Sequence, residues 1–183
     1  MRRSTQKLAL SALFLSLGIL MPFLTGQIPK FGSMLLPMHI PVLLCGFICG
    51  WPYGLGVGFI TPLFRSLMFS APALYPQAVA MAFELATYGF LAGLIYAKLP
   101  KKPLSAYVSL LAAMLGGRLV WGGVSALLYG VGGKAFTLAA FVSGAFLGAI
   151  PGIILQIVFI PAFVILLEKT LFTKVWRERS ASA

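Results

Sequence analysis

The chain has 183 residues, of which 60% are hydrophobic and 9% charged, with a mean hydropathy of +1.00. Soluble domains carry about a quarter charged residues, so this composition excludes that class and points to an integral membrane protein. The net charge of +11 does not signal nucleic acid, because no soluble basic segment exists to carry it.

The apolar runs are continuous rather than alternating, which argues for helices over a barrel. A first helix is expected over 7–24. The start, Met1-Arg-Arg-Ser-Thr-Gln-Lys7, superficially resembles a secretory leader, but no small-x-small cleavage site follows Pro22, so the helix is read as uncleaved. Gly26, Pro29, Gly32 and Pro37 then break the chain into a loop. Its apolar residues Phe31, Met34, Leu35 and Leu36 suit a lid over a pocket and suit headgroup anchoring equally well, as do Leu74 and Tyr75 in a later loop. A short second helix covers 39–50, and Trp51-Pro52 turns the chain into a third over 53–69. Residues 70–76 form the next loop, and a fourth helix spans 77–97. The polar turn Lys98-Leu-Pro-Lys-Lys-Pro103 precedes a fifth helix at 104–129, followed by a glycine loop from Gly130 to Lys134. The final helix, over 138–171, exceeds one membrane thickness, and Pro151 and Pro161 are its break or kink points.

The expected fold is all-α and membrane-integral: a single domain over 1–183, with six transmembrane helices in a compact bundle. Six crossings put both termini on one side. That side would carry Arg2, Arg3, Lys7, Lys98, Lys101, Lys102, Lys169, Lys174, Arg177 and Arg179, against only Lys30 and Lys134 on the other. Basic residues accumulate in cytoplasmic loops and attract anionic headgroups, so both termini are expected in the cytoplasm. Gly46, Gly50, Gly54 and Gly58 recur every four residues, and Gly89/Gly93 and Gly148/Gly152 repeat the spacing. Small residues at this interval let helix backbones approach closely in lipid.

Three ionisable residues lie inside apolar runs: Arg65, Glu84 and Arg118. Each costs roughly 2.5–3.5 kcal/mol on insertion scales, so such groups face a bundle interior and commonly serve a ligand. At 1.5 Å rise per residue, Arg65 sits about one turn below the outer surface, Glu84 roughly 10 Å and Arg118 roughly 16 Å below their outer helix ends. His39 starts the second helix at the same side, Gln156 lies near mid-depth, and Tyr75 is in an outer loop. Common depth makes these six candidates for one outward-facing pocket. A structural ion pair between Glu84 and one arginine is the alternative. Two arginines against one glutamate leave a net positive charge in low dielectric, which a small anionic ligand would balance.

Cys45 and Cys49 share a helix face, yet with His39 the only histidine a metal site lacks ligands, and they read as apolar filler. His39 could act as a general base or as a polar interface residue. No G-x-x-x-x-G-K-[ST] motif, no Ser-His-Asp triad and no His-Glu-x-x-His is present, and the chain has no Asp. No enzymatic activity and no cofactor are expected. The pattern suits binding and translocation without an engine. Rivals are a proton-coupled small carrier or channel using Glu84 alone, and a scaffold subunit with no ligand.

The segments Leu35-Leu-Pro-Met-His-Ile-Pro-Val-Leu-Leu-Cys-Gly46, Gly54-Leu-Gly-Val-Gly-Phe-Ile-Thr-Pro-Leu63 and Met81-Ala-Phe-Glu-Leu-Ala-Thr-Tyr-Gly-Phe-Leu-Ala-Gly-Leu94 resemble the substrate-binding S component of energy-coupling factor (ECF) vitamin transporters. The resemblance spans essentially the whole chain and is strongest to the pantothenate, pyridoxine and hydroxymethylpyrimidine branch. It implies vitamin capture from outside a prokaryotic cell, with a transmembrane coupling subunit and two ATPase subunits as partners. It also implies a small-residue face on the first helix for the coupling subunit, here Ala9, Ala12 and Ser16, with serine in place of the family's second alanine. The arginines favour pantothenate, whereas pyridoxine, hydroxymethylpyrimidine or riboflavin would leave an arginine to a structural role.

Overall fold

The computed structural model describes residues 2–26, 34–100, 102–133 and 135–181, with side chains described over 4–24, 34–100, 102–133 and 135–167. Most of the first loop, including Lys30 and Phe31, lies outside the described residues. So do Lys101, Lys134 and the side chains of the basic residues near both ends, Arg2, Arg3, Lys169, Lys174, Arg177 and Arg179. The described residues form helices and no strand: α1 (Arg2–Gly26), α2 (His39–Cys49), α3 (Trp51–Phe69), α4 (Val79–Lys98, entered through a π-helical turn at Leu74–Ala78), α5 (Pro103–Val131), α6 (Leu138–Ala145) and α7 (Ile150–Ala181, preceded by a 3-10 turn at Leu147–Ala149).

The single final helix expected over 138–171 is two helices. Thr137 starts α6, its hydroxyl accepting from the Ala140 N–H at 3.2 Å, and Phe146 breaks it with φ −123° and ψ −62°. Pro151 explains the position of the break. It has no N–H to donate to the Leu147 carbonyl, and its ring would collide there, so the turn before the proline has to open. Pro161, by contrast, lies within α7.

Among the described residues, four stretches are long and apolar enough to cross a membrane: Ser4–Leu24, Leu74–Lys98, Pro103–Val131 and Leu138–Leu167. The sequence pattern suggests six. The two remaining helices differ for separate reasons. At 11 residues, α2 is only about 17 Å long, short of the roughly 30 Å hydrocarbon core. Glycines, prolines and Arg65 dilute the hydropathy of α3.

Nearly every residue of α2 is buried, as expected of a helix apolar all round. Its last turn runs directly into α3 through Gly50, whose φ of 100° is a conformation L side chains rarely adopt. The buried residues of α3 are Gly54, Val57, Gly58, Thr61, Pro62 and Ser66, one helical stripe at spacings of three and four. That stripe faces α4, which lies at the centre and packs most extensively on α3, then on α5 and α2. The contact is made by bare backbone. A Cβ at Gly46 would lie 2.5 Å from the Gly89 carbonyl oxygen, and one at Gly54 would lie 2.6 Å from the same atom. The four-residue glycine spacing thus marks where α2, α3 and α4 touch. Around this seam Leu43, Cys45, Leu85, Leu110 and Ile160 fill the apolar core.

A methyl group at Gly89 has nowhere to go, because it would run into the Gly54 carbonyl. Gly89→Ala is expected to cost about 1–3 kcal/mol through overpacking and to lower the thermal midpoint in detergent. Gly56→Ala, whose Cβ would meet nothing within 4 Å, should leave the midpoint no lower than wild type, since alanine is the better helix former.

Candidate functional site

A cavity of about 360 Å³ opens where the start of α2, the end of α3, the start of α4 and the middle of α5 converge. Leu36, Pro37, Met38, Pro72, Met81 and Trp121 supply apolar wall, and His39, Arg65, Gln77, Glu84 and Arg118 supply its polar groups. Mostly apolar lining with a few convergent polar groups, at this volume, is the usual make-up of a small-molecule site. Lys98 and Lys102 lie at the far ends of α4 and α5 from it.

Local sequence explains how the polar groups meet. His39 is the first residue of α2, and its N–H bonds the Leu36 carbonyl at 3.1 Å. Leu36 itself holds φ 51°, a left-handed conformation uncommon for a bulky residue and strained where it occurs. Glu84 lies on the buried face of α4, one turn before Tyr88. On α5, a Cβ at Gly117 would collide with the Tyr88 ring and lie 3.1 Å from the Glu84 carbonyl oxygen. The bare glycine therefore lets α5 close onto α4 at this level and delivers Arg118, the next residue, to the Glu84 side chain.

One carboxylate oxygen faces both an arginine and the histidine. Glu84 Oε1 lies 3.6 Å from His39 Nε2 and 3.7 Å from Arg118 Nε, with all three side chains no more than 6% exposed. These separations make ion pairs but exceed hydrogen-bond length. Both His39 ring nitrogens, Glu84 Oε1, and Arg118 Nε and Nη2 consequently lack hydrogen-bond partners among the described residues. Buried polar groups left unpaired are costly, and a cluster of them around a cavity marks a place where a ligand or water completes the bonding. Arg65 Nη1 is buried and unpartnered too, while its guanidinium carbon stands 5.0 Å above the Phe23 ring, a cation–π distance. Among the described residues, two guanidinium groups and one carboxylate line the cavity, a positive surplus.

Of the residues singled out from sequence, Arg65, Glu84, Arg118 and His39 come together here. Gln156 and Tyr75 do not line the cavity. Gln156 is fully buried on α7, with both amide atoms unpaired among the described residues. The Tyr75 hydroxyl is committed elsewhere, donating to the Leu128 carbonyl at 2.7 Å. Gln77 and Trp121 were missed. Gln77 stands two turns before Glu84, and Trp121 three residues after Arg118, so extending each charged residue along its own helix face would have found both.

On α1, Ala9, Ala12 and Ser16 are exposed on the outside of the bundle, remote from the cavity lining. A family model described as "ECF transporter, substrate-specific component" matches residues 6–166. Comparison with curated proteins and with solved structures gave no match.

Glu84 holds the cluster together, since it faces both His39 and Arg118. Without ligand, Glu84→Gln is expected to cost about 3–5 kcal/mol, because it strands a buried cation. Arg118→Gln should cost less, since Glu84 retains His39. Thermal unfolding of the two purified variants checks that order.

Proposed function

The chain belongs to the substrate-specific components of ECF transporters, and from that premise we propose that it captures the vitamin pantothenate outside a prokaryotic cell. As a member of this family it is a multi-pass membrane protein and a transport subunit that binds a vitamin-type small molecule. The observation that carries the finer reading is the cavity lined by the buried Arg118, the half-buried Arg65 and one carboxylate. A ligand carboxylate supplies the missing negative charge, and guanidinium accepts it bidentately. The unpaired Nε and Nη2 of Arg118 are the donors such a fork requires. Pyridoxine, hydroxymethylpyrimidine and riboflavin bring no carboxylate and would leave them unmatched.

Orientation follows from charge. Lys7, Lys98 and Lys102 lie at helix ends away from the cavity, so the positive-inside rule turns the cavity outward and both termini to the cytoplasm. In this arrangement α2 and α3 complete six crossings. Being enclosed by protein, α2 needs no lipid-facing length. Transport requires energy from partners, since the chain has no nucleotide-binding P-loop: a transmembrane coupling subunit and two ATPase subunits. The coupling subunit docks on the exposed face of α1 at Ala9, Ala12 and Ser16. Serine is tolerated there because its hydroxyl donates to the Ala12 carbonyl at 3.0 Å, leaving the face without a free donor.

A thermal-shift series on the purified protein tests the ligand. Pantothenate should stabilise it by about 2.7 kcal/mol at one hundred times its dissociation constant, with pyridoxine, hydroxymethylpyrimidine and riboflavin giving no shift. Replacing both Arg65 and Arg118 by Gln should weaken pantothenate by at least about a hundredfold, as loss of two charge-assisted contacts implies. A larger shift with a neutral vitamin, or unchanged affinity in the double variant, would reject the anion reading. Uptake in cells should disappear when the coupling subunit or either ATPase is removed.

A further inference from the structure

The cavity does not end at Arg118. Past Gln77 and Trp121 lies a second one of about 300 Å³, and those two residues belong to both walls. The two spaces differ in chemistry. Three buried ionisable groups and Arg65 surround the first, whereas among the described residues the second has no Arg, Lys, His, Asp or Glu in its lining. Its walls are the small side chains of Ala80, Ala135 and Ala140, the deeply buried Ser125, and an aromatic run. In that run Trp121 meets Phe136 edge-on at 5.8 Å, and Phe136 stacks on Tyr129 at 5.8 Å. Hydroxyls of Ser125 and Tyr129 are its polar notes. At the junction stands exposed Gln77, whose amide can donate and accept at once.

We propose that the two cavities are one divided site for a ligand with unlike ends. A carboxylate binds at the Arg118 and Arg65 guanidinium groups that line the first cavity, and an amide-like linkage lies beside Gln77. A compact, neutral, hydroxyl-bearing hydrocarbon end lies against Trp121 and Phe136. The division assigns separate tasks: the first chamber reads charge and the second reads the shape of the neutral end. It rests on the anion reading above, and deepens it by fixing what the ligand must be at its uncharged end. A carboxylate ligand short enough to fit the first chamber alone would leave the shared face of Trp121 and the Ser125 hydroxyl unused.

Pantothenate and panthenol separate the two tasks, since they share the neutral end and differ in carrying a carboxylate or an alcohol at the other. Wild-type protein should bind pantothenate at least tenfold tighter than panthenol, and Arg118→Gln should collapse that ratio. Ala140 is exposed and lines only the second chamber, so Ala140→Trp fills it without touching the charge cluster. It should weaken both compounds at least tenfold while keeping their ratio within twofold of wild type. Phe136→Ala removes the same wall without adding bulk and should weaken both at least fivefold, again at constant ratio. The ligand-free melting midpoint of each variant, kept near wild type, excludes general unfolding as the cause. Affinities within twofold of wild type in both second-chamber variants would overturn the divided site while leaving the anion reading intact. A change of ratio in those variants would overturn the division of tasks. Wild-type protein that binds neither compound would overturn the anion reading itself, and the divided site with it.

Discussion

Much of this molecule depends on a single carboxylate oxygen held between a guanidinium and an imidazole inside an apolar bundle. Glu84 Oε1 faces His39 from α2 and Arg118 from α5, so three helices are tied at one level. In low dielectric no member of such a cluster tolerates the loss of its partner. Yet the distances stop short of hydrogen bonding, and donors around the oxygen stay unfilled. A fully satisfied network would close on itself and fasten helices, with nothing left for a guest. This one fixes the helices and still presents unused donors to a cavity, so bracing and binding are not competing roles here.

Everything around that cluster is set by how closely backbones approach. Lipid tails are as apolar as leucine, so helices in a bilayer are held by packing rather than by hydrophobic expulsion. Gly46, Gly54 and Gly89 provide that contact for α2, α3 and α4, and Gly117 provides it between α5 and α4. The contact is a matter of position along the helix as much as of distance. Gly117 meets α4 at the level of Glu84 and Tyr88, and a side chain there would hold Arg118 away from its carboxylate. By comparison α6 is a short segment, touching α5 mainly through the stacked rings of Trp121 and Phe141.

The sequence carried the helices and the charged residues well, for one reason: each is a contrast against an apolar background. Arg65, Glu84 and Arg118 stand out in hydrophobic runs, and the family resemblance lies in blocks that the matched region 6–166 contains. What depends on angle around a helix was harder to see. Depth grouped Tyr75 and Gln156 with the cluster, but the Tyr75 hydroxyl bonds the Leu128 carbonyl and neither residue lines the cavity. Gln77 and Trp121 are residue types common at helix ends and membrane interfaces, so nothing in their identity singled them out. Of the two prolines named as break points in the last helix, Pro151 follows the break, which opens one turn earlier at Phe146, and Pro161 stays inside α7.

One residue has an optical consequence. Trp121 forms part of the wall of both chambers, so an occupant changes the polarity around its indole. Trp51 packs against Phe90 at 5.5 Å at the opposite end of α3 from Arg65, where an occupant leaves its surroundings alone. Of the three tryptophans, Trp121 lines both cavities, so replacing Trp51 and Trp176 by Phe would leave its indole as the single emitter with which to follow an added ligand in real time, without any attached dye.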